Sequence, residues 1–372
     1  MRREPDLPGQ GRPTDAHSWP STTEGSNAGA EGGRAHPQKR RDVPSRLALW
    51  ACHHEPMTQH LTQAQRAQRT DRARDAAVAT ARELGLTVTD PLILHDLFSV
   101  VVHLAPAPVV ARVPTVLPPA TSPHDLATRQ QHELDTTQWL HEQAVPVIAP
   151  SPLTPRRPLQ RDGFSLTFWT HVPQDQDAEP DYAANAELTP ALHRALRHYP
   201  GELPFLSAAD PQSMTAELTR LQHHPDLLEA ADLDRAQREW QLIEPLVRSR
   251  AAFEKTFPDI ELQPVHGDSP PANIFPSTHG PLYSDFELIC LGPIEWDLAG
   301  LPEELVQAYD HSARDQDMRE ADPDVLAFVN TVGKLRVIAT LALIPQLPEL
   351  SDHLTPAVQQ WKQGPFAGGL HL

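Results

Sequence analysis

One stretch constrains the fold more tightly than any other. It is Val265-His266-Gly267-Asp268-Ser269-Pro270-Pro271-Ala272-Asn273-Ile274-Phe275, continuing through Leu282-Tyr283-Ser284-Asp285-Phe286-Glu287. Ile274-Phe275-Pro276 and Pro281-Leu282-Tyr283 read as two short strands joined by a turn at Ser277-Thr278-His279-Gly280. Paired as a hairpin, they bring Asn273, before the first strand, and Asp285, beyond the second, to the same end. One amide carbonyl beside one carboxylate suits a hard cation such as Mg²⁺. Asp268 lies upstream of Asn273, in a segment that Pro270 and Pro271 keep out of helix. From that loop it can face the same cation. Metal ligands next to a free carboxylate are what phosphoryl transfer requires: the metal holds the phosphates and the carboxylate orients the attacking hydroxyl.

Three elements combine here: His266-Gly267-Asp268 with Asn273 five residues after the Asp, a strand leading into Asp285-Phe286-Glu287, and then Gly292-Pro293-Ile294-Glu295-Trp296-Asp297-Leu298-Ala299. Together they resemble the aminoglycoside phosphotransferase family. The resemblance implies an α+β, two-lobed protein-kinase-like fold, with a small antiparallel β-sheet N-lobe carrying one main helix and a mostly helical C-lobe. It implies an ATP- or GTP-dependent O-phosphotransferase, a small-molecule kinase with an alcohol group as acceptor and Mg²⁺ as cofactor. Asp268 would be catalytic, orienting the acceptor hydroxyl and taking its proton. Aspartates in general are weak bases near neutral pH, so positioning is expected to outweigh proton abstraction. Asn273 and Asp285 would hold the metal, and His266 would brace the loop. Asp297 either caps a helix or braces the catalytic loop. Glu287 reaches a second metal or nothing.

The upstream sequence supplies the nucleotide half of this expectation. Asp71 to Glu83 reads as a helix stopped by Gly85. Leu92-Ile93-Leu94 opens a strand region. Phe98 to Leu104 and Val109 to Val113 read as apolar strands around Ala105-Pro106-Ala107-Pro108. Kinases place a lysine on the third strand to hold phosphates. Here the position falls to Arg112, the only Lys or Arg between Arg82 and Arg129. Arginine is a permanent cation with a rigid fork, so it is not equivalent to lysine. A helix follows, with Ser122 as cap and Pro123 at its first position. It places Leu126, Gln130, Glu133, Thr137 and Leu140 on one face. A buried Glu133 needs a partner, and Arg112 is the one the resemblance provides; an exposed Glu133 at the stripe's edge is the other reading. Val145 to Ile148 and Phe164 to Trp169 read as further strands, with Trp169 either a core aromatic or a neighbour of the base. Asp96-Leu97-Phe98-Ser99-Val100 stands where a phosphate-covering turn belongs, without glycines.

Downstream, Thr189-Pro190 and Asp210-Pro211 read as helix starts. A long helix from about Asp232 has a break at Pro245, and Asp324 to Leu343 reads as an apolar core helix. The expected organisation is a disordered N-terminal extension over 1–56, a nucleotide-binding N-lobe over 57–170 and a catalytic, acceptor-binding C-lobe over 171–372. Within the extension, Lys39-Arg40-Arg41 reads as a solvated charge run, and Cys52-His53-His54-Glu55 lacks a second ligand cluster for a metal. Met57 is the expected translation start.

Composition narrows the partners. A net charge of −18 over 372 residues disfavours nucleic acid. Two cysteines far apart, Cys52 and Cys290, make neither a disulfide framework nor a zinc site. No uncharged apolar run of membrane length and no signal-peptide core are evident, so a cytoplasmic protein without a membrane partner is expected. The expected partners are a nucleotide and a small-molecule hydroxyl acceptor. Acidic runs at Asp175, Asp177, Glu179 and Asp181, and at Glu303, Glu304, Asp310, Asp315, Asp317, Glu320 and Asp322, favour a cationic, polyhydroxylated acceptor such as an aminoglycoside, or simply keep the surface soluble. A catalytically weak or inactive kinase-like binder and a macromolecular kinase are the competing functions.

Overall fold

Helix α1 (Gln63–Glu83) starts where Thr62 and Gln65 form a reciprocal capping box, so it begins two turns before the apolar pattern predicts. Its polar first turns carry no hydrophobic periodicity, and the cap sets the boundary instead. The structure, a computed structural model, describes residues 60–370. The expected disordered extension, Met57, the Lys39-Arg40-Arg41 run and the Cys52–Glu55 cluster lie outside them.

α1 lies across a sheet of five antiparallel strands in the order β1-β2-β3-β5-β4. These are β1 (Val88–Asp96), β2 (Ser99–Pro106), β3 (Val109–Pro114), β4 (Leu159–Arg161) and β5 (Phe164–Thr170). Side chains alternate across a strand. Val100, Val102 and Leu104 of β2, with Val109, Ala111 and Val113 of β3, pack against Ala73, Ala76, Ala77 and Ala81 of α1. The small alanines let helix and sheet approach closely. Val101, Val110 and Arg112 therefore face the opposite side. β4 was not evident from the sequence, although its turn carries the Asp-Gly pair of a tight hairpin: Asp162 and Gly163 have φ of 51° and 84°. The strand expected over Val145–Ile148 is instead a single bridge from Val147 to Tyr283. Pro146 has no N–H to extend a ladder. Helix α2 (Pro123–Glu142) is capped by Ser122 and buries Leu126, Gln130, Glu133, Thr137 and Leu140, as the spacing predicts.

The remaining chain is mainly helical: α3 (Tyr182–Leu196), α4 (Pro211–Arg220), α5 (Ala230–Arg248), α6 (Arg250–Thr256), α7 (Glu303–Asp315), α8 (Pro323–Thr340) and α9 (Leu350–Gln363). Two small ladders interrupt it. β6 (Gln263–Val265) pairs with β9 (Cys290–Gly292), and β7 (Ile274–Ser277) pairs with β8 (Gly280–Tyr283). α3 begins at Tyr182 with Asp181 as its cap, not at Thr189-Pro190, and Pro190 sits inside the helix. The Asp181 side chain, bonded to the Ala184 N–H, starts the helix before the proline. α4 does start at Asp210-Pro211. α5 runs three residues past Pro245. α8 is long and apolar enough to cross a membrane by length and composition. Here Val325, Phe328, Val329, Val332, Leu335 and Ile338 join the main core with residues of α4, α5 and α9.

The C-terminal segment is tied down by one buried ion pair. Arg235 bonds Glu239 at 2.9 Å and also donates to the carbonyls of Lys362, Gly364 and Pro365. Glu239 in turn accepts the Trp361 indole N–H and the Ala367 N–H.

The sheet meets the helical part at two opposite ends. At one, the chain crosses after Thr170. There His171 donates its N–H to Pro108 O and stacks on His103, ring centres 3.7 Å apart. At the other, Leu61 N–H bonds Pro345 O at 2.8 Å, Arg66 pairs with Glu349, and Gln346 Nε2 reaches Leu117 O. On that side Thr70 holds Asp96 at 2.6 Å, and Leu97 packs on the main core.

Candidate active site

The β7–β8 hairpin forms in the expected register, with Ile274 opposite Tyr283 and Ser277 opposite Gly280. The Ser284 N–H bonds the Asn273 carbonyl at 3.0 Å, which closes the open end of the hairpin and brings Asn273 close to Asp285. Asn273 Nδ2 donates to Ser269 O at 3.0 Å, so its oxygen is the atom left for a cation. Asp285 sits in the left-handed region, φ 61°, which turns its carboxylate out of the strand direction. Among the described residues no group of three or more His, Cys, Asp and Glu forms a complete metal cage. An amide oxygen and one carboxylate nevertheless fit Mg²⁺, which commonly takes its other ligands from phosphates and water.

The loop before the hairpin is held from below. Asp297, fully buried, accepts the N–H groups of His266 and Gly267, each at 2.8 Å. Of the two readings open for Asp297, the structure therefore gives loop bracing. Gly267 has φ +89°, and a Cβ there would lie 1.7 Å from the Leu288 carbonyl oxygen, so only glycine fits. His266 Nε2 donates to Ser284 O at 2.8 Å, tying this loop to the residue before Asp285, and its ring packs on Phe286. Asp268 follows these fixed peptides and is exposed.

Arg112, pointing off β3, joins both halves. Its Nη1 bonds Glu133 of α2 at 2.9 Å, and its Nη2 meets Asp285 at 2.8 Å and Glu287 at 2.6 Å. Glu133 is buried, not at an exposed edge. Burial pushes its carboxyl up to about 8, against the pull of Arg112, and the neighbouring charges of Asp285 and Glu287 push the same way. The same carboxylates hold the Arg112 guanidinium charged despite its desolvation. Glu287, open in the sequence between a second metal and no role, lies on the guanidinium.

Above this cluster is a cleft of ≈ 230 Å³, partly open to solvent. Leu94, Val101 and Val110 line its roof, Ile148, Trp169 and Phe275 other walls, and Arg112, Glu133 and Asp285 its polar end. Trp169 is both buried and part of this lining. The shape suits a flat apolar ring at one end and an anionic group at the other.

The chain matches the phosphotransferase enzyme family over residues 99–329, more than half its length. Among solved structures, the amicoumacin kinase hAmiN in complex with AMP-PNP, Ca²⁺ and Ami aligns with a TM-score of 0.54. The match has 11% identity and covers 82% of this chain and 98% of that one. LicA, a choline kinase from Streptococcus pneumoniae, aligns in its AMP complex with a TM-score of 0.51 and 12% identity, over 77% of this chain and 98% of that one. An aminoglycoside-3'-phosphotransferase of type VIII gives 0.48 and 15%, over 72% of this chain and 99% of that one. No curated protein sequence matches. The chain is thus a member of the phosphotransferase enzyme family, built on the two-lobed, α+β protein-kinase-like fold.

Proposed function

We propose that this protein moves the γ-phosphate of ATP or GTP, as the Mg²⁺ complex, to a hydroxyl of a small molecule. The observation that carries this reading is the Arg112 cluster. One guanidinium joins the sheet, α2 and the Asp285 segment at the polar end of an apolar cleft. Asn273 and Asp285 would hold the metal, which when bound draws charge from the phosphate oxygens. Arg112, aligned by Glu133, would hold the phosphates. Asp268, aimed by the braced peptides, would orient the acceptor hydroxyl. Cytoplasmic nucleotide is the expected donor pool.

A cationic, polyhydroxylated acceptor such as an aminoglycoside fits the acidic surroundings. Asn185 in the first turn of α3 donates to Pro271 O at 2.9 Å. That bond brings the acidic approach to α3, ending in Asp181, next to the loop that follows Asp268. Asp310 on α7 has its carboxyl pushed up by burial and bonds the Ala321 N–H, so it is part of the scaffold. The exposed Glu303 and Glu304 are better placed to meet a cation.

A second reading rests on the same cluster. Three carboxylates already occupy Arg112, and the Asp96–Ser99 turn has no glycine, which together suit a weak or inactive nucleotide binder. Calorimetry of ATP and GTP binding, with and without Mg²⁺, on wild type and Asp285→Ala separates the two. The phosphotransferase reading expects binding that needs both Mg²⁺ and Asp285. Binding indifferent to both would favour the inactive binder.

A further inference from the structure

A chain of buried polar side chains leads away from the catalytic loop and has no part in the reading above. Oδ2 of Asp297, the atom that accepts the His266 N–H, lies 2.9 Å from Nε2 of His193 on α3. His193 Nδ1 lies 2.9 Å from the hydroxyl of Tyr309 on α7. All three side chains are fully buried. A carboxylate only accepts, so Nε2 carries a proton toward Asp297, and Nδ1 shares a hydrogen bond with the Tyr309 hydroxyl. Burial pushes the Tyr309 hydroxyl well above the usual phenol range, which keeps it a donor. Each of these ring and hydroxyl groups then has a partner.

Stability alone is a poor reason for this arrangement. Apolar side chains of similar volume commonly stabilise a core as well as a buried polar chain does. What a polar chain supplies is direction. Asp297 sets two peptide planes, and Gly267 at φ +89° allows the backbone entering Asp268 little freedom. Two residues before Asp297, Glu295 is held on its other side by both ends of the Arg319 guanidinium and by the Asp322 N–H. The Glu295–Asp297 segment is thus anchored without Tyr309. The hydroxyl and the imidazole are left to fix the Asp297 carboxylate itself.

We propose that His193 and Tyr309 are positioning residues for phosphoryl transfer. They set the rate of the chemical step through Asp297 and the His266–Gly267 peptides and touch no substrate. This rests on the phosphotransferase reading.

The test uses the full chain and a probe that needs no acceptor, the turnover of Mg·ATP and Mg·GTP to inorganic phosphate. Nucleotide affinity by calorimetry and melting temperature are measured alongside. His193→Leu should lower kcat by about a hundredfold, the usual effect of a small misplacement of a catalytic group, and Tyr309→Phe by about tenfold, both with KM and affinity unchanged. His193→Gln, whose amide N–H can still reach Asp297, should recover much of the loss. A Tyr309→Phe protein with wild-type kcat overturns the proposal, whatever its melting temperature, and so does a parallel fall in kcat and affinity. Should His193→Leu fail to fold, Tyr309→Phe still decides. A wild-type protein that binds no nucleotide in the presence of Mg²⁺ overturns the phosphotransferase reading and this proposal with it. A working wild type matched by its variants overturns this proposal alone.

Discussion

Two arginine clusters in this protein each tie distant segments together and differ in charge. Arg235 meets one carboxylate, Glu239, and its remaining donors go to backbone carbonyls, while Glu239 fills its oxygens with an indole and a backbone N–H. One positive charge faces one negative charge, and the group is saturated. Arg112 meets three carboxylates, two of which, Asp285 and Glu287, remain 45% and 42% exposed, Asp285 lining the cleft. Burial raises the Glu133 and Glu287 carboxyls, so ionising all three groups around one guanidinium is costly, and the cluster has acidic capacity that Arg112 alone does not neutralise. A balanced, saturated cluster behaves as a staple. An unbalanced one, open on the side of a cleft, is what the proposed metal site requires.

The comparison breaks most sharply at the chemistry. Asp268→Ala and Asp285→Ala should each reduce phosphate release to background while the melting temperature stays within a few degrees. For Asp285 the reason is that Arg112 keeps Glu133 and Glu287. Near-wild-type turnover in Asp285→Ala would remove the metal-centre reading of the unbalanced cluster, and in Asp268→Ala the catalytic role of that carboxylate. Breaking the staple should do the reverse. Glu239→Ala strands Arg235 in the core and should cost about 3–5 kcal/mol, read by denaturant unfolding. Its nucleotide affinity per folded molecule should equal that of wild type.

Glu217 offers a third case, a buried carboxyl with no ion pair among the described residues. It lies on α4, with Arg336 and Arg220 attracting it from a distance, and burial pushes it up to about 7. Its folded value lies above its unfolded one. Its contribution to stability is therefore fully present below the unfolded value and is lost as pH rises through about 7. The loss is on the order of 3 kcal/mol. Unfolding curves at pH 5 and pH 8 should show it, and Glu217→Gln should flatten the difference. The smallest effect is the most diagnostic. Glu287→Gln keeps an oxygen for Arg112 and removes one surplus charge, so in Mg²⁺-free buffer it should raise stability by up to about 1 kcal/mol. Glu239→Gln, at the balanced cluster, should lower stability. A loss in both would erase the distinction between the two.

How much of this could be read from the chain depended on distance along it. The hairpin, with Asn273 and Asp285 at one end, is local: alternation and a glycine turn specify it within a dozen residues. The Arg112–Glu133 pair spans 21 positions; the helix stripe asked for a partner for Glu133 if it were buried, and only the family resemblance named Arg112. The reach of Glu287 back to Arg112 spans 175 positions, and the sequence held no sign of it. His193 and Tyr309 were missed for the same reason: a histidine and a tyrosine on helical patterns look like ordinary core residues until α3 and α7 are packed together. Local punctuation misled twice. Thr189-Pro190 read as a helix start because proline favours a first turn, but Asp181 had already capped α3. Val145 to Ile148 had strand composition, but its proline-flanked backbone could make only one bridge.

The contact between Pro345–Glu349 and the beginning of α1 has a kinematic consequence. A sheet joined to its neighbour by a single linker can swing in any direction the linker permits. This sheet is fastened at both ends, after Thr170 and again at Leu61, Arg66 and Leu117. Two fixed points favour rotation about the line between them, and the Arg112 contacts to Asp285 and Glu287 are a third tie that resists it from within the cleft. Lifting the roof formed by Leu94, Val101 and Val110 has to break those contacts. A wider opening requires the second fastening to let go. One of its members, the Arg66–Glu349 pair, lies at the surface, where salt weakens it, so the breadth of that opening is a property the ionic strength of the medium can set.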